Sequence, residues 1–421
     1  PPPHPKRRWA LPRLAARLGA EALRGVYDEI EAPLVPILAA MEERGIGFDA
    51  RPLAALSKKM ARELSGLGRR IHAAAGGPFN ISSPRQLAGV LFEKLSLAPK
   101  GIRRTEKSGA LSTSETELAK LRHLHPIVSD VLRHRELTKL KSTYVDALPK
   151  LAGPDGRIHT TWNQMGTATG RLASSSPNLQ NVPIRSDYGG EIRQAFVAAK
   201  GCELVAFDYS QLELRIVADL ARDEKMMAAF REGLDIHRLT AAEVNDVPLA
   251  KVTPELRRRA KTLNFGVLYG MGSRAFAESA GITRDEAEHF IEEYFRDFQG
   301  IARFIAETKA MAHERGYTQT AFGRKRFFPD LAATNFRLAR EAERMAVNHP
   351  IQGTAADITK RAMIAVEGFL ARRGPARDAR LLLQIHDELM FEVKANQVAS
   401  VVPEIQQRME GVWSGTVPMK V

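Results

Sequence analysis

The sequence predicts an α+β chain in which a small sheet subdomain is interrupted by a large helical insertion. Three observations carry this. Apolar, strand-like runs at 204–207 and 381–385 each lead into an aspartate, Asp208 and Asp387. Short β-like runs alternate with polar loops from 158 to 207, and helical spacing of apolar residues dominates from there to about 369.

The chain opens Pro1-Pro2-Pro3-His4-Pro5-Lys6-Arg7-Arg8, a stiff basic stretch that reads as a linker over 1–24. It lacks an initiating methionine, so a piece of a longer protein is expected. From 21 to 43, Leu23, Val26, Tyr27, Ile30, Leu34, Ile37, Leu38 and Met41 recur at helical spacing, with Pro33 and Pro36 expected to kink or divide the run. Residues 45–149 look mostly helical, broken by Gly76-Gly77-Pro78 and Ser82-Ser83-Pro84. Arg133, Arg135, Lys139 and Lys141 in that stretch fit a solvated helix face or a grip on phosphates equally well. Thr253-Pro254-Glu255 opens a further helix, with Thr253 as N-cap, Pro254 at the first helical position and an acid in the first turn. A strand pair around Asp387 closes the chain.

At 421 residues the chain exceeds one ordinary core, so two or three subdomains are expected. A hydrophobic content of 44% with 26% charged residues excludes a disordered chain. The net charge of +13 favours polyanionic partners. No apolar run is long enough to span a bilayer and no signal peptide is evident, so no membrane partner is expected. The lone Cys202 excludes an intrachain disulfide and a zinc thiolate cluster, and fits a reducing cytoplasm. There is no GxxxxGK[ST] phosphate loop, which argues against a nucleotide-hydrolysing motor.

A carboxylate at the end of a buried strand costs desolvation energy unless it is paired or holds a metal. Asp208 and Asp387 could share two divalent cations about 4 Å apart, the spacing used for in-line phosphoryl displacement. In the helix after Thr253, Arg257, Lys261, Phe265 and Tyr269 recur every four residues, each about 40° round and about 6 Å along from the last. Two cations followed by two aromatics suit a triphosphate at one end and a stacked base and sugar at the other. Phosphoryl or nucleotidyl transfer is the reaction class these residues predict.

The segment Asp208-Tyr209-Ser210-Gln211-Leu212-Glu213-Leu214-Arg215, the helix from Arg257 to Gly270, and His386-Asp387-Glu388 resemble the three polymerase motifs of family A DNA polymerases, the bacterial DNA polymerase I group. Thr169-Gly170-Arg171-Leu172, Pro177-Asn178-Leu179-Gln180-Asn181, Asp235-Ile236-His237, Phe322-Gly323-Arg324 and Gln352-Gly353-Thr354 match in order as well. So do Asn80-Ile81-Ser82-Ser83-Pro84 and Lys139-Leu140-Lys141-Ser142-Thr143-Tyr144.

The resemblance implies a right-hand polymerase with an antiparallel-sheet palm, helical fingers and a helical thumb. The expected division is a helix leading into the palm over 25–45, thumb over 46–148, palm over 149–214 and 354–421, and fingers over 215–353. Asp208, Asp387 and the Tyr209 backbone carbonyl would hold two Mg2+ ions, with Mn2+ able to replace them, and Glu388 would assist behind them. Lys261 and Arg257, with His237, would neutralise the triphosphate, Lys261 also serving as candidate general acid. Gln211, Phe265 and Tyr269 would meet the nucleotide. Primer-template DNA would be held by Arg171, Asn178, Gln180, Asn181, Arg185, Gln352, His386, Lys139, Lys141 and Arg324.

Glu213 would crowd the 2′ position and select deoxynucleoside triphosphates, and its presence with Glu388 argues against a single-subunit RNA polymerase. Phe265, where some relatives carry tyrosine, implies discrimination against dideoxynucleotides. The resemblance further implies a cytoplasmic monomer in replication and gap-filling repair. It implies no proofreading exonuclease in this chain, and a C-terminus short of the family's usual end.

Overall fold

The computed structural model describes residues 5–97, 101–105, 109–184, 186–374 and 378–421. The chain divides into two compact units. The first comprises Pro1–Gly45, Thr160–Gln180 and Ala198–Val421, and the second comprises Ile46–His159 and Asn181–Val197.

The first unit is organised by a three-stranded antiparallel sheet. Its strands are β1 (Cys202–Asp208), β2 (Ala379–Ile385) and β3 (Glu388–Lys394), with β3 in the middle. Pairing of β1 with β3 runs from Cys202 opposite Lys394 to Asp208 opposite Glu388. Strands β2 and β3 form a hairpin closed by His386 and Asp387, with an irregularity between Leu381 and Leu383. Phe207 and Phe391 meet edge to face, ring centroids 5.6 Å apart.

Five helices complete the frame used below: α1 (Leu212–Leu220), α2 (Ile236–Val244), α3 (Pro254–Leu268), α4 (Phe336–Arg372) and α5 (Val398–Glu410). The expected closing strand pair is therefore followed by one more helix. The long α4 packs against β2 and α5, with Ile358, Ala362, Met363, Val366 and Leu370 buried. A Cβ on Gly353 of this helix would lie 2.5 Å from Thr320 Cγ2, so only glycine fits beside Gln352.

Two expectations for the N-terminal region change. The stretch expected as a linker is helical over Pro5–Ala20. The run after it is not broken by its prolines: a π turn at Tyr27–Glu31 leads directly into the helix Ala32–Arg44. Pro33 falls in that helix's first turn, where no intrahelical donor is required. Val26, Ile30, Leu34, Leu38 and Met41 are buried as their spacing predicts, whereas Tyr27 is exposed.

The π turn places Glu31 in a buried polar network. One Glu31 carboxylate oxygen accepts from Lys360 Nζ at 2.7 Å and from the Arg324 guanidinium, and the other accepts from Gln164 at 2.8 Å. Arg324 Nε donates to Asp357 at 2.8 Å, and Thr320 donates to the same carboxylate at 2.8 Å. Burial alone would raise the Glu31 pKa, but Lys360 and Arg324 hold it below the ordinary carboxylate value.

The second unit pairs the helices Arg51–Ala75 and Pro126–Leu140. Leu53, Leu56, Met60, Leu67 and Ile71 of the first are buried, as are Ile127, Val128 and Val131 of the second. A two-residue strand at Ile46–Gly47 pairs with Arg157–Ile158. Ser83 caps the short helix Pro84–Ala88 by accepting from the Gln86 amide, which accounts for one of the turn-rich interruptions.

Breaking a buried ion pair from one side strands the remaining charge. Glu31→Ala should therefore lower unfolding stability in urea by about 3–5 kcal/mol. Lys360→Met, which leaves Arg324 and Glu31 paired, should cost clearly less. Because the Glu31 pKa is depressed in the folded chain, its contribution is full at neutral pH and lost as pH falls through the carboxylate range. Equal stability of Glu31→Ala and wild type would contradict the account.

Candidate active site

The register of the sheet assembles the acidic centre. Asp208 ends β1 opposite Glu388, and the Tyr209 amide donates to the Asp387 carbonyl at 3.3 Å. His386 takes a left-handed backbone, φ 55°, to close the hairpin that presents Asp387. Strained backbone of this kind persists where the surroundings over-determine it. The Tyr209 ring is buried and its hydroxyl donates to the Met409 carbonyl at 2.6 Å, fixing the turn after Asp208 from behind.

Among the described residues, neither the Asp208 nor the Asp387 carboxylate has an ion-pair partner or a hydrogen-bond donor. Burial raises the pKa of Asp208. Asp387 is pushed up to about 6, first by burial, then by repulsion from Glu213 and Asp208, against the opposing pull of Arg171. A buried carboxylate whose charge is further opposed by a neighbouring one fits a hard divalent cation. Among the described residues no three acidic, histidine or cysteine side chains form a metal cluster. Asp208 and Asp387 are therefore a pair of acids rather than a full protein cage, a set that could suit an ion sharing its shell with substrate phosphates.

Helix α3 carries the second element. Thr253 accepts from the Leu256 amide, Pro254 opens the helix, and Tyr269 follows its last residue. Ala260, Leu263, Asn264 and Val267 are buried on one side, leaving Arg257, Lys261, Phe265 and Tyr269 half-buried or exposed along the other, as the four-residue spacing predicts. Arg257 Nε donates to Asp235 at 2.7 Å. Asp235 also caps α2 through the His237 and Arg238 amides, so one carboxylate ties the two helices together. Lys261 is exposed and, among the described residues, has no ion-pair partner.

His237, expected to help neutralise a triphosphate, packs beside this helix. The ring is 3% exposed, and burial lowers its pKa to about 4, with Arg257 and Lys261 reinforcing the shift against the pull of Asp235. It is a neutral imidazole in this setting. Its Nδ1 lies 3.0 Å from Asn264 Nδ2, and its ring centroid 5.9 Å from that of Phe265.

Glu213 is the hub of the third element. Only 6% exposed, it accepts from Arg171 Nη2 at 2.6 Å and from the Tyr269 hydroxyl. Burial first, and Glu213 beside it, push the Tyr269 pKa up, while a hydrogen bond with Gln352 works the other way. Gln211 precedes α1 with φ 55°, and its buried Oε1 has no partner among the described residues.

Three residues expected on DNA also hold partners within the chain. Arg324 belongs to the Glu31 and Asp357 network, and a Cβ on Gly170 would come within 2.7 Å of its Nε. Gln180 bonds the Ser174 amide, the Leu172 carbonyl and Gln384. Lys141 donates to Ser57 at 2.9 Å and to Asp146 at 2.5 Å. By contrast Lys139, Asn178, Asn181 and His386 are exposed, although Asn178 Oδ1 accepts from Ser174 and from the Gln180 amide. Arg185 lies outside the described residues.

Two supporting roles were not assigned from the sequence. Asp235 has the N-cap signal of an acid directly before a helical run, but its ion pair to Arg257 spans a loop. Asn264 stands on the buried side of α3, where it bonds Thr240 and His237, and no periodicity marks it.

The chain matches the family model for DNA polymerase family A over residues 50–421. It is 47% identical over 404 residues to the thermostable DNA polymerase I of Thermus aquaticus, covering 96% of this chain and 48% of that relative. To DNA polymerase I of Pseudomonas aeruginosa it is 44% identical over 402 residues, covering 95% and 44%. It spans about half the length of such relatives. Among solved structures it resembles the POL domain of Pol1 from M. smegmatis in complex with DNA primer-template and dNTP, with a TM-score of 0.89, 38% identity, and coverage of 96% of this chain and 71% of that one. The mostly helical architecture with small antiparallel sheets is thus that of a polymerase domain, and the chain belongs to DNA polymerase family A.

Proposed function

We propose that the chain carries out template-directed DNA synthesis, adding deoxynucleotides to a primer 3′-hydroxyl with release of pyrophosphate. The observation that carries this reading is the pairing of Asp208 with Glu388 in register, which sets Asp387 beside Asp208 with, among the described residues, no ion-pair partner for either and only the more distant pull of Arg171 on Asp387. Residues 25–45, 149–214 and 354–421 would form the palm with its leading helix, 215–353 the fingers and 46–148 the thumb.

Asp208, Asp387 and the Tyr209 carbonyl would hold two Mg2+ ions, or Mn2+ in their place. Such ions supply a lowered pKa at the primer hydroxyl and charge neutralisation at the phosphates. Glu388, paired across the sheet from Asp208, would steady that end of the strand.

On α3, Lys261 is the unencumbered cation. It would sit against the triphosphate and hand a proton from Nζ to the departing pyrophosphate oxygen as negative charge builds there. Arg257, oriented by Asp235, would bind the same phosphates, and His237 would add a hydrogen bond from a neutral ring. Phe265 would pack on the incoming sugar and base. Tyr269, bonded to Glu213 and Gln352, would exchange place with the templating base as the helix closes.

Arg171, Gln352 and His386 would contact the nascent pair and primer end, where minor-groove acceptors are similar for every correct pair. Gln211, with its unpartnered Oε1, is available to a nucleotide ligand. Lys139, Asn178, Asn181 and Arg185 would meet the DNA backbone. A monomeric protein of the bacterial cytoplasm, active in replication and gap-filling repair, is the setting the reading implies. No helix among the described residues is long and apolar enough to cross a membrane.

Primer extension on a recessed DNA duplex tests the reading. Wild type should extend with deoxynucleotides and Mg2+, and Asp387→Ala should lose at least about 10³-fold in rate, the scale expected when electrostatic stabilisation at the reacting centre is removed. Tight duplex binding by wild type without extension would contradict it.

Glu213 gives a second test. A 2′-hydroxyl would have to enter space held by a carboxylate pinned by Arg171 and Tyr269. Glu213→Ala should raise ribonucleotide incorporation relative to deoxynucleotide by about 10²-fold or more, a difference of roughly 3 kcal/mol. Unchanged sugar discrimination in steady-state incorporation would sink the assignment.

A further inference from the structure

We infer that Arg215 is a positioning residue that clamps the turn after Asp208 to residues 418–420, fixing the backbone on which the metal-holding oxygens are carried. The inference rests on the reading of Asp208 and Tyr209 as metal-holding. Arg215 projects from α1 and is 6% exposed. Its Nε donates to the Ser210 carbonyl at 2.9 Å, and its Nη1 to the Pro418 carbonyl at 2.7 Å. The Ser210 amide in turn donates to the Lys420 carbonyl at 2.8 Å. Both backbone polar groups of Ser210 are thereby tied, one to the guanidinium and one to the segment the same guanidinium holds. Val417 and Met419 are buried, so that segment is anchored.

The charge of Arg215 is not explained by pairing. Among the described residues no carboxylate lies within ion-pair distance of it. Burial lowers its pKa, with only partial relief from Glu410, and its guanidinium stands 4.6 Å over the Phe230 ring. A buried cation satisfied by carbonyls is costly, and packing alone would be served better by an apolar side chain. What arginine supplies is a rigid fork of donors that bridges two carbonyls from separate segments. The turn it holds requires such support: Gln211 adopts φ 55°, which a non-glycine residue keeps only when its surroundings over-determine it. Asp208 and Tyr209 immediately precede that turn, so freedom at Ser210 is freedom at their oxygens.

The test uses Arg215→Met and Arg215→Lys in the metal-free chain, with two readouts. Hydrogen exchange of peptides covering 208–212 should be at least tenfold faster in Arg215→Met while distant segments keep their rates. Mn2+ binding followed by electron paramagnetic resonance should weaken at least fivefold. Arg215→Lys, which keeps the charge but has a single donor nitrogen where the fork uses two, should recover part of both effects and serves if the methionine variant fails to fold. Uniformly faster exchange across the chain, or unchanged exchange at 208–212, would overturn the clamp. Faster local exchange with unchanged Mn2+ affinity would overturn its service to the metal. If wild type and Asp387→Ala bind Mn2+ equally, the metal reading itself fails, and the exchange result still decides whether Arg215 holds the turn.

Discussion

The antiparallel pairing of β1 with the central strand β3 constrains everything else in the first unit. Side chains alternate across a strand, so a slip of one residue would exchange the faces of the whole strand and remove Asp208 from the level of the hairpin tip. The observed register sets Asp208 opposite Glu388 and lets the Tyr209 amide reach the Asp387 carbonyl. The apolar residues buried along β2 and β3, with Phe207 against Phe391, enforce that register. Desolvation is what makes it consequential: the same burial that stabilises the sheet leaves Asp387 with its ionisation disfavoured.

Charge is divided between two uses. Arg324, Lys360, Glu31 and Asp357 neutralise one another within the unit, and Arg257 is oriented by Asp235. Glu213 is held by Arg171 and Tyr269, and it is this fixed carboxylate that the proposed reading sets against the 2′ position of the sugar. Asp208, Asp387 and Lys261 have no ion-pair partner among the described residues, and Arg171 only partly offsets the charge of Asp387. Residues left without an ion-pair partner at the end of a strand or on a helix face are the ones to which the proposed reading assigns the substrate phosphates and their metal.

Much of this was legible in the sequence, and for identifiable reasons. The strand-end aspartates stood out because apolar runs led into them, and the stripe on α3 because four residues recurred at one spacing after an N-cap signal that the structure reproduces. Exposure and partner choice were not legible. Arg324, Gln180 and Lys141 have the chemistry of DNA contacts, yet long-range partners such as Glu31, Gln384 and Ser57 take their donors. His237 lies beside α3 with its pKa lowered by burial, which is a property of the fold and not of the motif. The helix at Pro5–Ala20 was hidden by a proline-rich start whose composition favours an extended linker.

The most direct test of the acidic centre is thermal unfolding of the metal-free chain at pH 8, wild type against Asp387→Asn. A folded pKa of about 6, above the ordinary aspartate value, means that ionised Asp387 opposes folding at this pH. Removing its charge should raise the unfolding midpoint, by the equivalent of about 2–3 kcal/mol. Added Mn2+ should then stabilise wild type and leave the variant nearly unchanged. A variant less stable than wild type without metal would mean that the Asp387 carboxylate is already compensated within the chain, contradicting the account.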